Sequence, residues 1–312
     1  MKEKISKEKT LPLVSFCTQT YNSARWIVGL LECAKSQTYP NIELIVSDDC
    51  STDNTVELVR DWMDKNKGRF ARCVFVSTPR NLGYSGNKAN AEKQCKGDYI
   101  KTIDSDDWID DTFIEKAVNM LEKRKDCSFL YSNCTWVYAD KREKEPSYHV
   151  DGDAFPALFM VDFWPPTPTW FYRREAMENT FYRPEMFLSE DYLRVLEIAH
   201  QYHFCHLDEY LAYYRKDYDK HEDAQRMLRF FQSQIMAINY FKDYPLYDKR
   251  FEKIKRQLVE EAKVTKPSYL LKLAWQFRDW KYVNIYVHFE KARFKAYIKK
   301  TICFRAYSKF FK

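Results

Sequence analysis

The chain has 312 residues, 45% of them hydrophobic and 31% charged, and is therefore long enough to bury a large core. Nine scattered cysteines without a Cys-x-x-Cys pair argue against a disulfide framework, and no run of about 18 apolar residues predicts a membrane-spanning helix. The net charge of +6 is uneven, because residues 266–312 carry twelve Lys or Arg and only two acidic residues.

The N-terminal residues are charged and lack the apolar stretch of a signal peptide. We therefore expect reduced thiols and a cytoplasmic protein, with a flexible tail over residues 1–10.

Beyond this tail, short apolar segments alternate with amphipathic ones. The pattern predicts strands at 12–17, 42–47, 73–77, 98–104 and 128–133, separated by helices at 24–36, 56–66, 85–96 and 112–124. Such β-α-β-α alternation with short connections is typical of a doubly wound, mainly parallel sheet flanked by helices. Ligands bind at the carboxyl ends of the strands in these sheets.

The alternation stops near residue 134. We predict that 134–140 extends the sheet and that 141–153 is a polar loop. A proline- and aromatic-rich segment follows, then a helix at 188–201, a strand at 204–215 and a helical pattern beyond 222.

Three carboxylates follow the strand at 98–104, in the sequence Asp104-Ser105-Asp106-Asp107. Alternate residues of an extended segment place Asp104 and Asp106 on one side, an arrangement that suits a divalent cation with hard oxygen ligands. A solvated turn before a helix N-terminus is the alternative, since aspartate caps helices and complements their dipole.

A second acidic pair, Asp48-Asp49, follows the strand at 42–47. A carboxylate at a strand end can accept a hydrogen bond from an imide N–H, such as that of uracil. Turn and N-cap chemistry explains the neighbouring Ser51 and Asp53, but it does not explain the doubled aspartate.

Two further segments carry polar residues at element ends. The sequence NLGYSGNKANA, 81–91, is either a tight turn or a close approach to a ligand, with Lys88 supplying positive charge. Glu190 and Asp191 begin a predicted helix, where they are either dipole-favoured acids or a general base near an acceptor hydroxyl.

The spacing His200-x-x-His203-x-x-His206 invites comparison with zinc sites. The predicted change from helix to strand falls inside this run, so the three side chains would not converge on one ion. We expect partly buried structural histidines here.

Six segments, in this order, resemble family-2 glycosyltransferases, which are nucleotide-diphospho-sugar transferases of the GT-A type. The resemblance covers about residues 11–215 and is carried by VSFCTQTYN (14–22), ELIVSDDCSTDNT (43–55), NLGYSGNKAN (81–90), GDYIKTIDSDDW (97–108), LSEDY (188–192) and LAYYR (211–215). It implies a catalytic domain at 11–220, with a nucleotide-binding part at 11–110 and an acceptor part at 111–220, followed by a basic helical extension at 221–312.

The resemblance also implies roles for individual residues. Tyr21 would lie against the base, with Thr20 beside it, and Asp48 or Asp49 would hydrogen-bond that base. Asp104 would face the ribose or the metal, and Ser105 would bind the nucleotide-sugar. Asp106 would coordinate the metal, with Asp104 as a second ligand, and Asp191 would be the catalytic base. Lys88 would contact phosphate, and Glu190, Asp107 and His221 are further candidates for the site. Gln19 and Lys88 depart from the family's frequent Pro and Arg at these positions.

The implied activity is an inverting, metal-dependent transfer. A sugar would move from a nucleotide-sugar donor, with UDP the expected nucleotide, to a hydroxyl of a glycan or lipid-linked acceptor in cell-surface polysaccharide synthesis. Mg²⁺ or Mn²⁺ would be the cofactor, and its charge would explain why the carboxylates at 104–107 tolerate one another.

Residues 285–312 combine apolar residues at helical spacing with a series of lysines. A basic amphipathic helix on an anionic membrane surface has this pattern, and so does a helix packed on the domain with a basic solvated face. No recognition module accompanies the charge, so nucleic acid is not an expected partner. A sugar-nucleotide nucleotidyltransferase and a catalytically idle membrane-surface adaptor are the alternative functions.

Overall fold

The structure, a computed structural model, describes residues 11–180, 190–216, 226–278, 281–282, 284–288 and 291. They fall into two compact units, one before and one after the boundary between residues 219 and 220. Within these described ranges, no helix is both long and apolar enough to cross a membrane. His221 and most of the basic segment 285–312 lie outside the described residues, as does the tail 1–10.

The first unit contains all nine strands that are found among the described residues. They are β1 Val14–Thr20, β2 Ile42–Asp48, β3 Arg72–Ser77, β4 Tyr99–Thr102, β5 Trp108–Ile109, β6 Cys127–Val137, β7 Arg142–Lys144, β8 Phe171–Arg173 and β9 His203–Arg215. Its α-helices are α1 Ile27–Ser36, α2 Thr55–Asn66, α3 Gly83–Glu92, α4 Phe113–Lys123, α5 Phe155–Met160, α6 Arg174–Glu178 and α7 Glu190–Gln201.

The strands form one mixed sheet in the order β3-β2-β1-β4-β8-β6-β9-β5, with β7 paired to β6. The β3, β2, β1 and β4 strands are parallel, whereas β8 runs antiparallel to both of its neighbours. The β6 and β9 strands are again parallel. The predicted sheet flanked by helices is therefore confirmed, and each antiparallel pair includes at least one strand that begins at or after Cys127.

Continuous apolar runs explain the central strands. Every residue of β1 and β2 is buried, as expected when parallel strands are covered by helices on both faces. Phe16, Leu44 and Val46 belong to a core that also includes Leu30 and Leu31 of α1. The carboxyl ends of β1, β2 and β4 meet at one edge of the sheet, and the polar segments that follow these strands meet there too.

Turn chemistry sets two of the helix starts. Asp53 Oδ1 accepts a hydrogen bond from the backbone N–H of Thr55 at 3.0 Å, and Asp110 Oδ1 accepts one from Thr112 at 2.9 Å. Such local bonds satisfy amide groups that a helix leaves unpaired at its first turn. Asp53 and Asp110 therefore have structural roles.

The predicted elements of the first unit form with shifts of a few residues at their ends, and five short elements were missed, namely β5, β7, β8, α5 and α6. The predicted loop 141–153 contains β7, and α5 follows it immediately. The two-residue β5 pairs with β9 directly after the acidic segment. These elements are too short for hydrophobic periodicity to predict.

The second unit is helical, as the sequence predicted beyond residue 222. Its α-helices are α8 Arg226–Ile238, α9 Tyr247–Thr265 and α10 Tyr269–Phe277. Their buried residues include Ile235, Ile254, Leu258, Leu270 and Leu273, so this unit has an apolar core of its own.

Candidate active site

A cleft of about 600 Å³ opens at the carboxyl ends of β1, β2 and β4. It is lined by Gln19, Thr20, Tyr21, Asn22, Ser23, Trp26, Asp49, Asn81, Gly83, Tyr84, Asn87, Asp104, Ser105 and Asp106. The structure thus brings together six of the predicted site residues, namely Thr20, Tyr21, Asp49, Asp104, Ser105 and Asp106.

One wall of the cleft is the segment that follows β1. Tyr21 is 48% exposed and lines the cleft, so its side chain presents an aromatic surface there. Asn22 has φ 48°, a left-handed conformation that asparagine adopts more readily than most residues. Its backbone N–H donates to Ser51 Oγ at 2.9 Å, which ties this turn to the one after β2.

The two aspartates after β2 have different surroundings. Both oxygens of Asp48 accept hydrogen bonds from Ser51, and Ser77 Oγ adds a third at 3.2 Å. Asp48 is fully buried and does not line the cleft. Asp49 lines the cleft and accepts bonds from the N–H groups of Leu82, at 2.7 Å, and Gly83, at 2.9 Å. Of the pair, Asp49 is therefore the one placed to meet a ligand.

The turn after Asp49 is strained. Cys50 has φ 62°, in the left-handed region that few non-glycine residues enter. Its side chain is exposed, whereas the other cysteines in the described part of the chain are buried or partly buried.

The acidic segment after β4 forms a cluster at the base of the cleft. The carboxylates of Asp104, Asp106 and Asp107 each offer an oxygen within 4.8 Å of the others. Gln19 donates to Asp104 through its side-chain amide, and Tyr84 donates to the same carboxylate at 3.1 Å. Gln19, which departs from the family pattern, is thus part of this cluster.

Asp107 is the buried member of the acidic cluster, with 3% of its surface exposed. Burial, followed by the negative charges of Asp106 and Asp104, raises its pKa well above the usual value. Its Oδ1 accepts the backbone N–H of Arg215 at 2.9 Å, but its Oδ2 has no hydrogen-bond partner among the described residues. An unpartnered buried oxygen beside two more carboxylates is a set of hard donors that suits Mg²⁺ or Mn²⁺.

Ser105 connects the cluster to the opposite wall. Its hydroxyl donates to Ser23 Oγ at 2.8 Å, between the segments that follow β4 and β1. Asn87, on α3, donates from its amide to the carbonyl oxygens of Thr20 and Ser47, each at 3.1 Å. Hydrogen bonds between segments therefore fix the cleft walls.

Lys88 and Asp191 meet although 103 residues separate them in the chain. Lys88 Nζ lies 3.1 Å from Asp191 Oδ1 and donates to the Tyr84 hydroxyl, also at 3.1 Å. Only 1% of Lys88 is exposed. Burial alone would lower its pKa, but the negative charge of Asp191, followed by Tyr84 and Asp104, raises it well above the usual value. Lys88 is therefore a buried cation.

Asp191 lies at the start of α7, partly buried. Burial raises its pKa, and Lys88 opposes that rise. Asp191 is connected to the acidic cluster through Lys88, Tyr84 and Asp104, a series of three contacts of 3.1 Å. A carboxylate with a raised pKa is a stronger proton acceptor than an ordinary surface aspartate.

Glu190 precedes Asp191, and burial together with the charge of Asp191 raises its pKa to about 7. Its Oε2 is buried and lacks a hydrogen-bond partner within the described ranges. Glu190 is therefore partly protonated near neutral pH, unlike an ordinary glutamate.

Sequence reasoning did not assign Tyr84, Trp26 or Arg215 to the site. Tyr84 belongs to the segment 81–90 and Arg215 is the last residue of the segment 211–215. Both segments carry the family resemblance, which is the signal that could have indicated these residues. Nothing in the sequence marks Trp26. The Arg215 guanidinium lies 4.2 Å from the ring centre of Trp26 and 4.9 Å from that of Trp108, between two aromatic surfaces.

Comparison with known proteins agrees with the fold. Residues 15–187 match the model of Glycosyl transferase family 2, which is more than half of the chain. The chain therefore belongs to glycosyl transferase family 2.

One relative is the UDP-Glc:alpha-D-GlcNAc-diphosphoundecaprenol beta-1,3-glucosyltransferase WfaP of Escherichia coli, 37% identical over 123 residues. The match covers 39% of this chain and 46% of WfaP, less than half of that relative's length.

Two solved structures have a similar fold. S. aureus TarS 1-349 in complex with UDP-GlcNAc superposes with a TM-score of 0.63 at 18% identity, over 89% of this chain and 81% of that one. Mannosyltransferase PcManGT from Pyrobaculum calidifontis, in complex with GDP-Man and Mn²⁺, gives 0.58 at 17% identity, over 87% and 76%. The predicted GT-A-type architecture is confirmed by these likenesses.

Proposed function

We propose that this glycosyltransferase moves a hexosyl or N-acetylhexosaminyl group, with inversion, from a UDP-sugar to a hydroxyl of a glycan or lipid-linked acceptor. The observation that carries the proposal is the contact series Asp104–Tyr84–Lys88–Asp191. It connects a cluster suited to a metal diphosphate with a carboxylate suited to take a proton.

The walls of the cleft supply the groups that a nucleotide needs. Tyr21 offers an exposed ring for stacking on the base, and Asp49 offers a carboxylate oxygen that can accept the imide N–H of uracil. Asp104 and Ser105 lie deeper in the cleft, where ribose and diphosphate would follow. Thr20, with a buried hydroxyl that has no partner among the described residues, lies beside them.

Asp104 and Asp106 would hold Mg²⁺ or Mn²⁺, with Asp107 beside them. The ion would supply positive charge for the departing diphosphate when it is bound. Lys88 contributes a fixed cation that is connected to Asp104 through the Tyr84 hydroxyl, and it holds Asp191 by an ion pair. In a site sheltered from water, such fixed charges act more strongly than they do in solution.

Asp191 would act as general base. As the acceptor oxygen forms a bond to the anomeric carbon, its proton passes to Asp191, and the bond from that carbon to the diphosphate oxygen breaks. This single displacement on the opposite face inverts the anomeric configuration and releases UDP. The charge that builds up on the sugar ring resembles that in glycosidases, so the chain's own task is electrostatic stabilisation and proton acceptance.

The acceptor is proposed by chemical class. The relative WfaP acts on a diphospholipid-linked sugar, and its match to this chain favours a similar acceptor class in polysaccharide synthesis. In this proposal, residues 11–220 form the catalytic domain and 221–312 an extension whose basic end, 285–312, contacts an anionic membrane surface from the cytoplasmic side. Equal binding of the full chain and of a chain ending near residue 280 to anionic liposomes would contradict the membrane contact.

The donor can be identified by thermal stabilisation, because a ligand that binds only the native state raises the melting temperature. We expect UDP-sugars to raise it more with Mn²⁺ than without, and GDP-sugars to have little effect. Release of UDP from the stabilising donor then measures activity. Asp191→Asn should lower kcat by about 10²- to 10⁴-fold, the usual contribution of a general base.

The exposed Asp140 provides a matched control, since Asp140→Asn makes the same chemical change away from the cleft. Wild-type activity in Asp191→Asn would refute the assigned base. Release of pyrophosphate from a nucleoside triphosphate would instead support the nucleotidyltransferase alternative. An absence of activity with every donor would support the alternative of a catalytically idle membrane-surface adaptor.

A further inference from the structure

A second cluster of metal-binding side chains lies on the first unit, away from the cleft. His149, His206 and Asp208 each offer a ligand atom, and these atoms all lie within 4.8 Å of one another. Eight residues of β9 lie between His206 and Arg215 at the acidic cluster, which corresponds to roughly 25–30 Å along an extended strand. The two clusters are therefore independent sites.

The hydrogen bonds of Asn133 determine the tautomer of His206. Asn133 Nδ2 donates to Asp208 Oδ1 at 2.9 Å, which orients the amide and makes its Oδ1 an acceptor. That Oδ1 lies 2.8 Å from His206 Nε2, so Nε2 carries the hydrogen and Nδ1 keeps a lone pair. Burial, and then the neighbouring His149, lowers the pKa of His206, in keeping with a neutral ring.

Metal-binding histidines are commonly held in this way. The ring nitrogen that does not bind the metal donates to a carbonyl or carboxylate, which fixes the ring and increases its basicity. Asn133 does this for His206 and at the same time holds Asp208. One amide thus orients two of the three ligand groups.

His149 faces the lone pair of His206, with the two Nδ1 atoms 3.0 Å apart. It lies in the segment between β7 and α5, and Tyr131 holds that segment on both sides of it. The Tyr131 hydroxyl donates to the carbonyl of Tyr148 at 2.7 Å and accepts the N–H of Val150 at 2.8 Å. The same ring stacks on His206, with centroids 4.7 Å apart. Tyr131 therefore holds the His206 ring and the backbone on both sides of His149, whose side chain is exposed at the surface.

Asp208 owes its position to an irregularity in the sheet. Consecutive residues of β6 pair with Leu207 and Tyr210, so Asp208 and Glu209 are additional residues in β9. Such bulges redirect side chains and are often found at functional sites. Asp208 Oδ2 lies 4.0 Å from His149 Nε2, and both side chains are exposed at the surface.

We propose that His149, His206 and Asp208 bind Zn²⁺. Two imidazole nitrogens and one carboxylate are ligands that zinc takes in tetrahedral sites with a fourth, open position, whereas Mg²⁺ prefers oxygen ligands. Tetrahedral zinc holds two nitrogens about 3.3 Å apart. The 3.0 Å pair needs only a small widening, which the surface residue His149 can supply. Binding through Nδ1 of His149 moves the hydrogen of this ring from Nδ1 to its exposed Nε2 by exchange with water, so that both imidazoles bind as neutral rings.

The test uses the full chain without a histidine tag, titrated with Zn²⁺ against a chromophoric chelator in excess Mg²⁺. The Mg²⁺ occupies the acidic cluster, so that only the nitrogen-containing site is counted. We expect one equivalent of tightly bound Zn²⁺. His149→Ala should weaken binding by on the order of 100-fold or more, since losing even a supporting hydrogen bond to a ligand costs 10- to 100-fold.

His203→Ala is the matched control, because His203 is an exposed histidine near the cluster that is not part of it. It should bind Zn²⁺ like the wild type. His149→Cys should restore the Zn²⁺ binding that His149→Ala loses. With Co²⁺ in place of Zn²⁺, the visible spectrum of His149→Cys should differ from that of the wild type, because a sulfur ligand replaces a nitrogen ligand. His149 is a surface residue, so these variants should keep the fold, which circular dichroism checks. Unchanged affinity in His149→Ala, or no stoichiometric binding by the wild type, would overturn the proposal.

Discussion

The backbone N–H of Arg215 donates to Asp107 Oδ1 at 2.9 Å, across a sequence separation of 108 residues. The Arg215 side chain adds a second bond, from Nε to the carbonyl oxygen of Asp106 at 3.1 Å. The end of β9 thus fixes the segment that carries the acidic cluster. We regard Arg215 as a positioning residue for the proposed metal site.

Arg215→Lys should therefore weaken Mn²⁺ binding in the presence of UDP by about 10-fold, in the range found for groups that support metal ligands. Lysine keeps the charge but loses both the Nε hydrogen bond and the planar group between Trp26 and Trp108. Titration of UDP-dependent thermal stabilisation with Mn²⁺ measures the effect. Arg142→Lys is the control, at an exposed arginine whose guanidinium carbon lies 5.9 Å from the ring centre of Tyr213. Equal weakening of Mn²⁺ binding in both variants would contradict the positioning role of Arg215.

Lys88 should control the pH dependence of transfer. Its charge lowers the pKa of Asp191, which burial otherwise raises. Lys88→Met removes that charge, so the pKa of Asp191 rises further and the base becomes protonated at higher pH. The acid limb of the kcat/KM profile should move upward, with a greater loss of activity at pH 6 than at pH 8. Lys93→Met is the control, at the exposed lysine that directly follows the last residue of α3, and it should leave the acid limb in place. A loss of activity that is equal at all pH values would indicate that Lys88 only binds phosphate and does not tune the pKa of Asp191.

Lys101 should contribute to stability through the carbonyl oxygens that it satisfies. Its buried Nζ donates to the carbonyls of Thr102, Pro168 and Trp170, and burial lowers its pKa to about 7. Lys101→Met keeps the apolar stem but leaves these acceptors without their donor. We expect a loss of about 2–3 kcal/mol in the free energy of unfolding, measured by urea denaturation. The exposed Lys96→Met is the control, and a change below about 0.5 kcal/mol in Lys101→Met would show that the amine is dispensable.

Glu145 should make the protein less stable as the pH rises. Burial raises its pKa to about 7 from the ordinary value of 4.5. The folded state therefore favours the protonated carboxyl, and stability present below pH 4.5 is lost progressively up to about pH 7. Glu145→Gln should be more stable than the wild type at pH 8 by on the order of 1 kcal/mol, less than the full shift implies because water screens the group.

Thermal unfolding at pH 5 and pH 8 checks this prediction. Glu143→Gln, at an exposed neighbour, should follow the wild type at both values. If Glu145→Gln and the wild type lose stability equally between pH 5 and pH 8, Glu145 is not the responsible group.

The first half of the sheet could be predicted because its signals are local. Apolar runs such as 42–47 are buried on both faces, and the carboxylates that follow them reach the same edge of the sheet as a consequence of parallel pairing. Asp49 and Asp104 could therefore be placed near each other from the sequence alone.

The pairing of Lys88 with Asp191 could not be predicted in this way. A lysine within a helix of small residues has the pattern of a solvated face, and only the packing of distant segments makes it a buried cation. The same holds for His149 and His206, which come from different segments 57 residues apart. Their contact depends on strand register and on the bulge at Asp208, neither of which leaves a periodic signal.

The thiol of Cys50 is exposed beside the cleft, so a thiol reagent can label the protein at this position. It is one residue from Asp49, and the remaining cysteines that the structure describes are at least partly covered. Among the cysteines that the structure describes, a maleimide fluorophore would thus attach preferentially to Cys50. Since Asp49 lines the cleft, the emission of the attached dye would report arrival and departure of a nucleotide in real time, without a radiolabelled sugar.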